Sequence, residues 1–260
     1  MANSVVSRDG TVLGYETLGA GPPLLLVHGA SADRTRWAPV AERLGRRYTV
    51  HRLDRRGRGL STAEAGPYDL RREGEDIAAV AEAIGPGTYV VAHSYGALCT
   101  LEAALITESI GRIVLYEPPM PSPGLPVLES GVFERLTAVS DDPGLVLETF
   151  FRAALRLPEA DVDAMKGTPI WQARLAAAHT ITRELGEVQA FTADDRLAGI
   201  RVPVRLFAGT ESPAYLAAAA ASVAARIPGA DVVPLHGQGH QAMDHDPDQF
   251  VAAVFAFGAG

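Results

Sequence analysis

The stretch 88–103, TYVVAHSYGALCTLEA, constrains this chain more than any other. Tyr89-Val90-Val91-Ala92 is an apolar run of strand type that stops at His93-Ser94-Tyr95-Gly96. A helical pattern through Ala97, Leu98, Leu101, Ala104 and Leu105 begins at once. A serine on so tight a strand-to-helix corner sits in a strained backbone conformation, and only small residues fit two positions before and after it. Here those are Ala92 and Gly96, so the G-x-S-x-G pattern is kept except for alanine at its first position. The arrangement is that of a nucleophile elbow, with Ser94 at its tip.

A chain of 260 residues fits one large α/β domain, or a core with an insertion. Its 47% hydrophobic and 21% charged residues suit a folded globular enzyme and exclude a disordered chain. A net charge of −8, with no basic cluster beyond the loop-like HRLDRRGRG at 51–59, argues against nucleic-acid binding. Cys99 stands alone, which excludes an intramolecular disulfide and any cysteine-based metal site. The start MANSVVSRDG lacks the layout of a secretion signal, and no apolar run approaches membrane-spanning length. The expectation is a cytoplasmic protein with no membrane partner. Oligomeric state has no signal in the sequence.

Strand and helix patterns alternate along the chain. Two short strands at 4–7 and 11–17 flank an Asp9-Gly10 turn, and buried strands follow at 24–27 and 48–53. Helices read at 37–44 and 69–84. After the elbow comes a strand at 112–116, then Pro118, Pro119, Pro121, Pro123 and Pro126, which forbid regular structure. From 127 to about 197 the pattern is helical throughout. Strands return at 202–208 and 230–235, each followed by a helix, at 213–227 and 247–257. Alternation of this kind predicts an α/β fold, with a mostly parallel sheet covered by helices on both faces. The expected division is a core of residues 1–118 and 198–260 with a helical cap inserted at 119–197.

Ligands of open parallel sheets bind beyond the carboxyl ends of the strands. The polar residues there are His28-Gly29-Ala30, Asp54, Ser94, Glu117, Glu211-Ser212 and His240. With VHGA, DRRGRG, AHSYG and a late GQGH in this order, the chain resembles the α/β-hydrolase family nearly end to end. The resemblance implies that Ser94 is the nucleophile and that His240 is its base. A serine hydroxyl needs such a base at neutral pH, and imidazole titrates near neutrality. It also implies that the backbone N–H groups of Ala30 and Tyr95 form the oxyanion hole. His28 then belongs to the oxyanion loop as a structural residue, and His93 is expected to point away from the nucleophile. Asp54 and its neighbouring arginines are expected to tie their loop to the sheet.

The acid that orients the histidine departs from the family pattern. Its usual place, after the seventh strand, holds Ser212, with Glu211 one residue early. A one-residue slip turns a side chain to the other face of a strand end. Glu117, directly after the sixth strand, occupies the position that haloalkane dehalogenases and some other members use. Glu117 is the preferred acid and Glu211 the alternative.

The implied activity is a cofactor-independent serine hydrolase acting on a small-molecule carboxylic ester, lactone or thioester through an acyl-serine. Cap residues such as Leu128, Phe133, Phe150, Phe151 and Trp171 suggest an apolar or moderately large acyl group, natural-product-like in character, although most of them serve equally to hold the cap's own core. Serine at position 94, where an attacking carboxylate would be needed, counts against epoxide hydrolase or dehalogenase chemistry. Three other readings stay open on this scaffold. They are a lyase, cyclase or acyltransferase with His240 as base, a perhydrolase, and an inactive binding protein. His236, His240, His245, Asp244 and Asp246 lack metal-ligand spacing, and no G-x-G-x-x-G follows the first strand, so neither a metal nor a dinucleotide is expected.

Overall fold

The apolar runs become the middle of an eight-stranded sheet in the order β1-β2-β4-β3-β5-β6-β7-β8. The strands are β1 (Ala2–Val6), β2 (Val12–Gly19), β3 (Pro23–Val27), β4 (Thr49–Leu53), β5 (Thr88–His93), β6 (Ile110–Tyr116), β7 (Val204–Gly209) and β8 (Asp231–Leu235). The structure is a computed structural model that describes residues 2–63 and 66–258. Strand β2 runs antiparallel to both β1 and β4, and every other pairing is parallel. All carboxyl ends from β3 to β8 therefore open on one edge of the sheet.

Alternation along the strands sends side chains to two separate cores. Leu25, Val27, Val90 and Ala92 join the cluster that includes helices α2 (Leu70–Ile84) and α3 (Tyr95–Ala104). Leu24, Leu26 and Val91 pack on the opposite face with Trp37, Val40 of α1 (Ala38–Leu44) and residues of a C-terminal helix, including Phe250 and Val254. Every residue of β5 is buried, as its run of apolar residues requires when both faces are covered. The helix expected from residue 37 is preceded by a 3-10 turn, Arg34–Trp37, because the Asp33 side chain caps Thr35 N–H at 2.8 Å and Pro39 starts the α-helix proper.

Between β6 and β7 lie α4 (Val132–Ala138), α5 (Pro143–Thr149), a π-turn at Phe150–Ala154, α6 (Glu159–Met165), α7 (Pro169–Ala176) and α8 (Ile181–Ala190). Among the described residues the only β-pairing in this segment is the bridge Ser122–Leu125. Its apolar residues Leu136, Leu147, Ile181 and Leu185 belong to the same buried cluster as α2 and α3. The chain then closes with α9 (Ala214–Ala224), α10 (Ala242–His245) and α11 (Pro247–Gly258). Among the described residues no helix is long and apolar enough to cross a membrane.

The helical segment is also pinned to the sheet by charge. Glu184 of α8 is fully buried and accepts from Arg55 at 3.0 Å and from Arg58. Arg55 bonds Glu73 of α2 at 2.5 and 3.0 Å, and Arg56 holds Asp76 at 2.6 and 2.7 Å. Burial alone would raise the Glu184 pKa, but the Arg55 and Arg58 guanidiniums outweigh it and hold the carboxyl below its ordinary range. Removing one partner of such a cluster strands the others without compensation. Glu184→Ala is therefore expected to lower unfolding free energy by about 3–5 kcal/mol in urea denaturation, whereas an exposed truncation on the same helix, Gln189→Ala, changes it by less than about 1 kcal/mol.

Candidate active site

The corner between β5 and α3 holds Ser94 at φ 54 and ψ −127, a conformation L-residues rarely adopt. Its cost is met by surroundings that leave no room for relaxation. A Cβ on Gly96 would lie 2.4 Å from the His28 carbonyl oxygen, and one on Gly29 would lie 2.8 Å from the Ser94 Cβ. Glycine is needed at both places because β3 and the elbow approach so closely. Ala92, the departure from G-x-S-x-G, is fully buried and sits in register with Val27 of β3 and Leu115 of β6.

Glu117 follows β6 directly, also at positive φ (51), and is completely buried. Its Oε1 accepts the Gly209 N–H at the end of β7 at 2.7 Å, and its Oε2 lies 2.5 Å from His240 Nδ1. A carboxylate can only accept, so Nδ1 carries a proton, and in the neutral imidazole Nε2 is the acceptor. Ser94 and His240 line one small pocket together with Gly29, Ala30 and Ser31.

Glu211, the alternative acid, makes no hydrogen bond or ion pair with His240, and both line a cavity of about 470 Å³. Its backbone N–H bonds the Gln238 carbonyl at 2.9 Å, which fixes the loop with the side chain turned outward. Ser212, at the position where the family's acid is usual, has a buried hydroxyl with no hydrogen-bond partner.

His93, expected to point away from the nucleophile, packs against the loop that carries His240. Its ring lies 4.5 Å, centroid to centroid, from His240, and its Nε2 donates to the His240 carbonyl at 2.9 Å. The alternation that turns His93 away from the Ser94 side carries it beneath the histidine loop. Burial pushes the His93 imidazole well below its ordinary pKa, with the neighbouring His240 and Arg36 adding to the effect, so the ring is neutral. Tyr116, the last residue of β6, donates to the Gly239 carbonyl and accepts the Ala242 N–H at 3.3 Å. Sequence reading passed over Tyr116, although a tyrosine ending a strand next to an acid was a usable signal.

The loop at 28–30 is tied from behind. His28 is fully buried; its Nε2 accepts the Arg55 N–H at 3.2 Å, so its proton sits on Nδ1, which donates to the Gly29 carbonyl at 2.9 Å. Arg55 also stacks on the Tyr95 ring, 4.7 Å from its centroid. Asp54 accepts Arg34 N–H and Leu60 N–H at 2.7 Å each, the structural tie expected of it. Tyr95 N–H is the first of α3, where helix N–H groups lack intrahelical partners.

Of the aromatic and aliphatic residues singled out between β6 and β7, Phe151 lines the larger cavity and Phe150 the smaller. Leu128 and Trp171 are buried in the core cluster and Phe133 packs against it. No group of three or more His, Cys, Asp or Glu among the described residues is placed to hold a metal ion. Cys99 is buried, and burial drives its thiol pKa well up.

Residues 24–253 match the model of the alpha/beta hydrolase family. An alpha/beta hydrolase from Sphaerobacter thermophilus superposes with a TM-score of 0.84 at 33% identity, over 98% of this chain and 99% of that one. N-formylmaleamate deformylase of Pseudomonas putida is 40% identical over 130 residues, which is 48% of this chain and 48% of that protein, so the match spans about half its length. The putative carbamate hydrolase RutD of Azorhizobium caulinodans is 26% identical over 250 residues, covering 94% of this chain and 93% of its own. On the family match and the whole-chain structural likeness, this chain belongs to the alpha/beta hydrolase family.

Proposed function

We propose that this enzyme is a cofactor-independent serine hydrolase that cleaves a carboxylic ester, lactone or thioester through an acyl-Ser94 intermediate. What carries the reading is the 2.5 Å contact between buried Glu117 and His240 Nδ1, which in the neutral imidazole makes Nε2 the acceptor, together with the pocket that His240 and Ser94 both line. In this reading His240 Nε2 takes the proton as Ser94 Oγ attacks the carbonyl carbon. Glu117 holds the tautomer and stabilises the imidazolium that forms. The N–H groups of Tyr95 and Ala30 donate to the developing oxyanion, a preorganised contribution of several kcal/mol. His240 then passes the proton to the leaving group and activates the water that frees the acyl chain.

The helical segment 119–197 acts as the cap of this site. Phe150, Phe151, Leu155 and Arg174 from it line the two cavities beside His240, so it roofs the acyl group and sets selectivity. The relatives named as a deformylase and a carbamate hydrolase support attack on a carbonyl carbon as the common step.

A fluorophosphonate probe is expected to label the intact enzyme and not Ser94→Ala, and that substitution should lower turnover of an ester, lactone and thioester panel by on the order of 10⁴-fold or more. Activity that survives Ser94→Ala would instead mean chemistry run by His240 alone. Glu117→Gln is expected to lower kcat by roughly 10²–10⁴-fold, far more than Glu211→Gln, with the fold of both variants checked by circular dichroism. The opposite ranking would move the acid to Glu211.

A further inference from the structure

The arginines buried in this chain are answered by carboxylates. Arg55 has Glu73 and Glu184, Arg56 has Asp76 and Asp9, Arg58 has Glu184, and Arg34 has Asp54 and Glu16. At the active-site pocket, Arg36 is paired with Asp244 at 2.5 Å. Arg174 is different. It reaches down from α7 and makes one hydrogen bond, from Nη1 to Ser31 Oγ at 3.0 Å, and stacks 5.0 Å from the Phe151 ring centroid. It makes no ion pair with any described residue.

Its position joins the two cavities. Arg174 lines both the small pocket of Ser94 and His240 and the cavity of about 470 Å³ beside it. Ser31, which it holds, follows Ala30 directly and is itself at positive φ (54), so the guanidinium is braced against the oxyanion loop. Burial, with the charge of Arg36 adding to it and Asp244 and Asp33 opposing, pulls the Arg174 pKa down to about 10. The group is still a cation at neutral pH, and it is under-compensated. Asp161 and Glu211 also line the larger cavity, as does Arg156, which is engaged by Glu129 at 3.4 Å.

We propose that Arg174 is the anchor for a carboxylate carried by the substrate, so that the acyl group is that of a short dicarboxylic acid presented as its half-ester or equivalent. The inference rests on the serine-hydrolase reading above and deepens it. A guanidinium presents a planar fork that fits a carboxylate with two parallel hydrogen bonds. A cation already desolvated by the protein gains more from an anion than an exposed one does, because solvent screens it less. The bracing at Ser31 sets the spacing. A carboxylate on Arg174 lies next to the oxyanion loop, so only a few bonds separate it from the carbonyl under attack. Phe151 and Leu155 then flank the carbon chain between the two ends.

The test compares monomethyl succinate with dimethyl succinate, following methanol release at neutral pH. The wild-type enzyme is expected to favour the monoanion in kcat/KM. Arg174→Gln should shrink the preference ratio by roughly 30-fold or more, mainly through KM of the monoanion, and Arg174→Lys should restore part of it. A second arm uses Ser94→Ala protein and equilibrium binding of succinate, which should be lost in the Ser94→Ala, Arg174→Gln double variant. A wild-type preference for the diester, an unchanged ratio, or equal losses on both esters would overturn the proposal. If neither ester is turned over and Ser94 resists labelling, the serine-hydrolase reading fails, and succinate binding to Ser94→Ala protein still decides whether Arg174 is an anion site.

Discussion

The buried ionic cluster built on Arg55 is the interaction on which the other parts of this structure depend. One guanidinium joins Glu73 of α2, Glu184 of α8, the Gly29 carbonyl and the Tyr95 ring, so it links a core helix, the helical segment, the loop after β3 and the corner after β5. Tyr68 extends the cluster, with its hydroxyl 2.7 Å from the Tyr95 hydroxyl and 3.0 Å from Glu73. Desolvating so many charges is expensive, and apolar packing of equal volume would stabilise as well or better. What apolar packing lacks is direction. Each carboxylate fixes where its guanidinium points, and the loops that carry Gly29 and Tyr95 inherit that fixed geometry.

The histidine loop is positioned by a second device of the same kind, made from strand ends. His93 ends β5, Tyr116 ends β6 and Glu117 follows it, and the three take hold of Gly239, His240 and Ala242. The loop therefore takes its place from the most rigid part of the molecule. The positive φ values of Ser94 and Glu117 are tolerable for that reason, since packed strands on either side over-determine them.

Fold class was legible in the sequence because period-2 and period-3.6 patterns alternate cleanly, and because glycines at 29 and 96 mark where backbones meet. The elbow and His240 were legible through their local glycine settings. Choosing between Glu117 and Glu211 was beyond the sequence, because it turns on which strand end faces the imidazole, a matter of register across β6 and β7. The roles of His93 and Tyr116 were hidden for a similar reason. Each acts on a loop well over a hundred residues away in sequence, and no local pattern records that contact. The arginines beside Asp54 read as a loop tied to the sheet, but their partners were hidden, because the carboxylates that hold them, Glu73, Asp76 and Glu184, are spread over two helices.

The contact to His240 made from the end of β6 also has a consequence for how this chain can change. Residues 210–213, which follow β7, form part of the wall of the larger cavity through Glu211 and Pro213 but make no hydrogen bond to the His240 side chain. Change in the Glu211 or Pro213 side chain reshapes the chamber while the Glu117 contact to the imidazole stays on another strand end. The Ser212 hydroxyl is buried without a hydrogen-bond partner, in keeping with the proposed role of Glu117 as the acid. With Glu117 in the role proposed for it, a carboxylate on a strand end separates two kinds of selection that a loop-borne acid would bind together, one for chemistry and one for the shape of what enters.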